Sequence, residues 1–255
     1  MLILLPPSET KRDGGDGGSF DSNSLEYPSL NTQRRVLVRE LGALALDSEA
    51  MMSALKLGRT QASEVQRNRT LGTSPTMAAL DRYTGVLYDA LAAPTLSPAA
   101  REFAGRHVVV HSALLGPVGA LDLVPAYRWS HDSRVPGHPL KQHWAVAVSR
   151  ALAGAEGLVL DLRSEAYVAL GAAPAGPESL FLRVVTEAPG GQKRALNHFN
   201  KKSKGEFTRA ILEHGRDFAS AQELLDWAPS AGFRLHRGAP GELELVVDQV
   251  VAARA

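Results

Sequence analysis

The chain has 255 residues, 44% apolar and 22% charged, with 28 Lys and Arg against 27 Asp and Glu. It is therefore long enough to bury a sizeable core, and its net charge of +1 does not mark a nucleic-acid binder by bulk electrostatics, so any basic site must come from how charge is distributed. It has no cysteine, which excludes disulfides, thiolate metal sites and cysteine nucleophiles and fits a reducing cytoplasm, and no apolar run is long enough to span a membrane.

The opening Met-Leu-Ile-Leu-Leu stops at Pro6 and Pro7, with no basic leader and no small-residue cleavage site, which predicts a buried strand. Its exit carries Ser8, Glu9, Thr10, Lys11 and Arg12, polar groups at a strand end where sites are commonly built. The following Asp13-Gly-Gly-Asp-Gly-Gly18 lacks the spacing of a nucleotide fingerprint and reads as a mobile surface loop. Over 32–46, Val36, Leu37, Leu41 and Leu44 recur at helical spacing with Arg34, Arg35 and Arg39 on the other side, an amphipathic helix. Shorter helices are expected over 48–57, ended at Gly58, and over 60–69, with Arg59, Arg67 and Arg69 adding basic groups. Thr73-Ser-Pro75 reads as a helix start running through Leu80, Tyr83 and Leu87 with Pro75 in the first turn, and Ser97-Pro98 repeats that signal.

Residues 107–110 are β-branched after His107 and predict a strand ending at Ser112. Gly116 and Gly119 mark a tight turn, a candidate hairpin for a helix-hairpin-helix whose backbone N–H groups bind phosphate, although such glycines are usually two apart. Residues 124–128 read as extended and 140–152 as a helix with Trp144, Val148 and Leu152 inward. Residues 157–162 form a short apolar strand with Asp161 near its end, followed by Arg163, Ser164, Glu165 and Tyr167, which repeats the strand-then-Ser-Glu order of residues 2–11. Strands over 179–185 and 241–247, and a helix over 219–227 entered near Ser220, complete the set. Strands spread among helices without an internal repeat predict an α+β fold in a single compact mixed domain, 1–255.

Residues 194–209 concentrate charge in Arg194, Lys201, Lys202, Lys204 and Arg209, interleave His198, Phe199 and Phe207, and turn helical at 210–212. Lysine and arginine displace counterions from a nucleic-acid backbone while flat rings offer stacking faces; the plain alternative is a solvated helix entry. The residue types that carry chemistry are Glu9, Lys11, Asp122, Tyr127, Arg128, Asp161, Ser164, Glu165, Tyr167, Lys201, Lys202 and Lys204. A carboxylate beside a lysine supplies an acid and base or a Schiff-base amine, yet the same pair also serves as a structural ion pair. The eight histidines are scattered, and no metal or cofactor site is expected.

Five segments in this order resemble the YaaA family of bacterial peroxide-stress proteins: Met-Leu-Ile-Leu-Leu-Pro-Pro-Ser-Glu-Thr-Lys at the start, Tyr83-Thr-Gly-Val-Leu-Tyr88, the stretch from Ser112 to Arg128, Asp161-Leu-Arg-Ser-Glu-Ala-Tyr167, and Lys201-Lys-Ser-Lys-Gly205. The chain looks like a shorter, Ala-rich branch. Where many relatives have Pro-Ala-Lys-Thr it has Pro-Ser-Glu9-Thr with the lysine displaced to Lys11, and where they have Lys-x-Ala-Arg-Gly it places Lys204 before Gly205. The resemblance implies a positively charged cleft and a helix-hairpin-helix element in one α+β domain, DNA binding through both, and a role in limiting oxidative DNA damage.

Two functions follow as expectations. The first is a DNA-binding stress protein whose cleft gathers Lys201, Lys202, Lys204 and Arg209, with Lys11 and Arg128 on opposite walls, Ser164 among the anion-facing groups, and Ser8, Glu9, Tyr127 and Tyr167 as further cleft residues; its partner is double-stranded or distorted DNA. The second is an enzyme of glycosylase or lyase type acting on a nucleobase, nucleoside or damaged DNA, in which Asp161 or Glu165 works with a lysine such as Lys202 on an extruded base or a nucleotide-like small molecule. Both set the protein in the cytoplasm, away from membrane. Convergence of the strand-end residues and the lysines on one concave site is the geometric test.

Overall fold

Four apolar residues ahead of two prolines make the strand on which the sheet is built: β1 (Leu2–Leu5), with Ile3, Leu4 and Leu5 fully buried. The computed structural model describes residues 1–134, 137–187, 193–195 and 198–247; Leu196 and Asn197, and the side chains of Arg59, Arg194, His198 and Phe199, lie outside that description. After β1, the Asp13 to Gly18 stretch is held in place: the Gly17 N–H donates to Thr76 O at 2.9 Å, and Gly15 and Gly17 sit so close to Thr76 that neither position has room for a Cβ.

The three helices expected next are present as α1 (Asn31–Leu44), α2 (Ser48–Ala54) and α3 (Ser63–Arg69), α2 being capped by Asp47, which accepts from the Glu49 and Ala50 N–H groups at 3.0 Å each. Arg34 departs from the expected solvated face. It is wholly buried, donating to Leu115 O at 2.8 Å, Pro117 O and Glu26 O at 2.7 Å each and Asn31 Oδ1 at 3.0 Å, so its charge is spread over three backbone carbonyls and one side-chain amide oxygen.

The single helix expected from Pro75 is instead three pieces, β2 (Met77–Ala78), α4 (Ala79–Arg82) and α5 (Val86–Leu91). Pro75 precedes β2, its carbonyl accepting from Arg82 at 2.8 Å, and Gly85 at φ 97° breaks the path between the two helices. α6 (Pro98–His107) starts as read, with Ser97 capping the Ala100 N–H at 3.2 Å.

β3 (Val108–Ser112), β4 (Gly116–Gly119) and β5 (Leu123–Val124) follow. Gly116 and Gly119 therefore lie on a buried strand antiparallel to β3, so this turn joins two strands and does not form a hairpin between helices. Packing explains the glycines: a Cβ on Gly116 would meet the Trp144 ring at 3.0 Å and one on Gly119 would meet Glu26 at 2.9 Å.

α7 (Leu140–Leu152) buries Leu140, Trp144, Val148 and Leu152 as its spacing predicts. The chain continues through β6 (Val159–Asp161), α8 (Glu165–Val168), β7 (Ser179–Glu187), β8 (Lys193–Ala195), α9 (His198–His214), α10 (Ala221–Trp227), β9 (Arg234–Arg237) and β10 (Glu242–Val247).

Among the described residues eight strands form one sheet in the order β4-β3-β1-β6-β7-β10-β9, with β8 on β7. The five inner strands β3, β1, β6, β7 and β10 are mutually parallel and the edges antiparallel, which accounts for the continuous apolar runs of β1 and β6. Helices and strands are thus mixed in one compact unit around one core, as expected. Taken in chain order the parallel strands run 2-1-3-4-5, the flavodoxin-like order, so the direction of winding reverses between β1 and β6, where open sheets of this kind bind ligands. Among the described residues no helix is long and apolar enough to cross a membrane.

α9 packs closely on α5 through Gly205, where an added Cβ would run into the Leu87 carbonyl and come within 2.9 Å of Ala90 Cβ. Gly→Ala inside a helix ordinarily stabilises by ~0.5–1 kcal/mol. Here Gly205→Ala is expected to destabilise by about 1–3 kcal/mol through overpacking, read as a lowered urea midpoint; an unchanged or raised midpoint contradicts the close approach.

Candidate functional site

β1 and β6 end side by side, Leu4 opposite Asp161, and their exits part to leave a cavity of about 850 Å³. It is lined by residues 6–10 after β1, 162–167 after β6, 84–88 leading into α5, 181–184 of β7, and Asn200, Lys201 and Lys204 of α9, with His131 also on the wall. The β7 wall exists because the strand's pairing is interrupted. Phe181 pairs with Asp161 of β6 and Val185 with Ala195 of β8, while β10 occupies the opposite edge throughout, so the edge at 182–184 faces the cavity with neither strand beside it.

Under the β6 exit lies a buried ion pair. Arg163, fully buried, donates from Nε to Asp161 Oδ1 at 2.8 Å and from Nη2 to Asp161 Oδ2 at 2.6 Å, while its Nη1 donates to Gly171 O at 2.8 Å and to His111 Nδ1 at 2.7 Å. The Asp161 carboxylate also accepts the Arg163 backbone N–H at 3.0 Å, which closes the turn. Burial, with the Arg163 charge beside it, holds the His111 pKa well below the usual imidazole value, so the ring stays neutral and accepts from the arginine. Asp161, expected among the reacting groups, is thus a support: it holds the turn carrying Ser164, Glu165 and Tyr167.

The β1 exit is fixed by Lys11. Its buried amine donates to Ser8 O at 2.9 Å and Glu9 O at 3.3 Å, and lies 4.1 Å from the Tyr127 ring centroid and 5.1 Å from that of Tyr83. Burial first, then the Arg128 charge, lowers its pKa to about 7. Tyr127 and Tyr83 share a hydroxyl hydrogen bond of 2.7 Å, and Tyr127 meets Ser112 at 2.6 Å. Arg128 pairs with Glu9, so Lys11 and Arg128 brace the same wall from behind instead of standing on opposite walls. The second motif completes that side: Tyr88 Oη donates to Pro6 O at 2.7 Å, and the Thr84 N–H to Thr10 O at 3.2 Å.

α9 sorts the basic run by its helical period. Lys201 and Lys204, three residues apart, reach the cavity; Lys202 points away and pairs with Glu206 at 3.3 Å. Arg209 also lies off the lining, donating to Leu91 O at 2.9 Å and pairing with Glu213 at 2.6 Å. Lys201 is exposed and makes no hydrogen bond or ion pair among the described residues. Lys204 is buried, donates to Leu162 O at 3.0 Å, and lies 5.3 Å from the Phe181 ring centroid; desolvation lowers its pKa to about 8, with Asp161 raising and Arg183 lowering it.

The site therefore unites Ser8, Glu9, Ser164, Glu165, Tyr167, Lys201 and Lys204 on one lining, with Lys11, Tyr127, Arg128 and Asp161 directly behind it and Lys202 and Arg209 outside it. Asp122 lies elsewhere, accepting from the Gly119 and Glu26 N–H groups at 2.8 and 2.9 Å. Sequence reading missed Arg183 and Phe181, which share the more exposed face of β7 by alternation; Arg183 pairs with Glu165 at 3.3 Å and Glu242 at 2.7 Å. Among the described residues no three His, Asp or Glu side chains group as a metal set would.

Comparison with known proteins adds kinship to this geometry. The family model described as peroxide stress protein YaaA matches residues 1–238. A UPF0246 protein of Corynebacterium efficiens is 39% identical over 254 residues, spanning 97% of this chain and 100% of its own. UPF0246 proteins of Corynebacterium glutamicum and Streptomyces coelicolor are 37% and 36% identical, over 91% and 95% of this chain and 93% and 94% of theirs.

Two measurements test the supports. Asp161→Ala strands the buried guanidinium and is expected to cost about 3–5 kcal/mol in denaturant unfolding; a cost below 1 kcal/mol would mean the pair holds little. Lys11 sets a pH dependence. Its folded pKa of about 7 lies below the ordinary lysine value of 10.5, so the unfolded chain binds more protons between these values, and stability gains with pH across that window. The penalty is full below about 7 and is relieved towards 10.5, so the stability difference between wild type and Lys11→Met should shift in favour of wild type as pH rises; a pH-independent difference would remove Lys11 as the cause.

Proposed function

The chain belongs to the family of peroxide stress protein YaaA, and from that premise we propose that it binds DNA, double-stranded or distorted, during peroxide stress, through phosphate contacts at the mouth of the crevice between β1 and β6. The observation that carries this reading is Lys201, an exposed cation on the cavity lining with no partner among the described residues, beside Lys204 and Arg183. A cation left in that state at a concave site is available to a phosphate, and each such contact adds counterion release to binding. Glu9 and Glu165 on the same lining disfavour a continuous run of phosphates inside.

A cavity of about 850 Å³ has the dimensions of a small-ligand pocket. In this reading the duplex rests on the rim and one displaced nucleotide enters, its ring against Tyr167 or Phe181, at a cost that is least where the duplex is already distorted. The same reading sets the protein in the cytoplasm, with its DNA.

Titration of labelled duplexes across a range of salt tests this. Lys201→Ala is expected to weaken binding evenly across sequences and to reduce the slope of log affinity against log salt by about 0.9, one phosphate contact. Lys202→Ala, on the outward face, should change that slope less. Equal affinity and slope for wild type and Lys201→Ala would overturn the proposal.

A further inference from the structure

We propose that Lys204 is an amine nucleophile that condenses with the aldehyde of a ring-opened sugar phosphate, the chemistry that an abasic site in DNA and a free aldose phosphate share. This rests on the reading of the cleft as a nucleotide-sized site.

The argument begins with what Lys204 lacks. Each carboxylate around the cleft already has an arginine: Glu9 has Arg128, Asp161 has Arg163, and Glu165 has Arg183. Among the described residues none pairs with Lys204, whose amine has one acceptor, Leu162 O at 3.0 Å. An ammonium buried there would hold three donors against that single carbonyl, and burying a charge without its partners is costly. Losing the proton relieves the cost, consistent with a pKa lowered to about 8 by desolvation, with Arg183 pushing the same way against Asp161. One N–H given to Leu162 O then fixes the neutral amine while its lone pair is available to the cavity that Lys204 lines. A lysine desolvated and next to another cation is how Schiff-base amines are activated. Lys11 shows the contrast: it too is buried, but it sits behind the wall, enclosed by two carbonyls and two aromatic rings, and does not line the cavity.

The substrate class follows from the neighbours. Lys201, exposed and without a partner among the described residues, offers positive charge to a phosphate, and Glu165, exposed at the start of α8 and paired with Arg183 only at 3.3 Å, is the carboxylate placed to accept a proton. The amine nitrogen bonds to the aldehyde carbon, and the carbinolamine loses one water to give an imine, with no oxidant or reductant consumed. On abasic DNA, Glu165 takes a proton from the carbon next to the imine, the electron pair forms the new double bond, and the carbon–oxygen bond to the 3′ phosphate breaks with that phosphate leaving.

The test treats the whole protein with borohydride in the presence of a duplex bearing one abasic site, the same duplex intact, or 2-deoxyribose 5-phosphate, with affinity for both duplexes measured in parallel. A reduced adduct on the abasic duplex or the aldose phosphate, mapped by peptide mass to Lys204, is expected. Its yield should rise as pH passes through about 8. Lys204→Arg should form no adduct, while Lys201→Ala should still form it at lower occupancy. Binding to abasic duplex with no adduct, or an adduct mapped to another lysine, overturns this inference and leaves DNA binding standing. An adduct with the aldose phosphate alone, and no affinity for either duplex, supports the amine chemistry and overturns the DNA reading instead. Mapping on the wild-type protein keeps the result independent of whether a variant folds.

Discussion

The crevice depends on one buried guanidinium. Arg163 joins the end of β6 to His111 on β3 and to the carbonyl of Gly171, and in doing so sets the turn from which Ser164, Glu165 and Tyr167 reach the cavity. Its carboxylate partner comes from its own strand end, so the ion pair costs little chain entropy to assemble, and the neutral imidazole absorbs a donor that would otherwise lack an acceptor. A lone arginine in this setting would be expelled to solvent and the turn with it.

Around that support, charge is distributed by role. Arginines take the cleft carboxylates, because a planar fork matches two oxygens, and hold walls in place; Lys201 and Lys204 are left facing the space between. The lining is mixed in sign, which distinguishes a site that orients one patterned molecule from a groove that only attracts a polyanion.

Much of the fold was legible in the sequence because local signals and tertiary context agreed. The period of Leu140, Trp144, Val148 and Leu152, the Ser97-Pro98 start and the apolar run of Leu2–Leu5 each specify the element observed. Where they disagreed, long-range packing prevailed. Gly116 and Gly119 read as a turn, yet their missing side chains make room for Trp144 and Glu26 on a strand. Arg34 sits at a polar-looking position yet satisfies carbonyls from distant loops. For the site, strand-end polarity marks Ser8, Glu9, Ser164 and Glu165, and these four share one lining. A run of adjacent lysines carries no information on its own about which side of a helix is inward, so the run alone does not separate Lys202 from Lys201 and Lys204, although the helix turns Lys202 outward to pair with Glu206. Nor does a sequence say that Asp161 is consumed by its neighbour two residues on, or that the pairing gap in β7 opens a wall at Arg183.

The place of β1 at the centre of the sheet has a consequence for biosynthesis. Its two neighbours are Val108–Ser112 and Val159–Asp161, both made well after it, so on the ribosome an apolar strand emerges with neither of its edges covered. Both edges are covered only once β6 has cleared the exit, and the crevice is completed later still, when the β7 wall and the α9 lysines have been made. Half-made chains therefore hold the exposed strand but not the site, and the prolines at 6 and 7, which cannot extend a sheet edge, keep that waiting strand short.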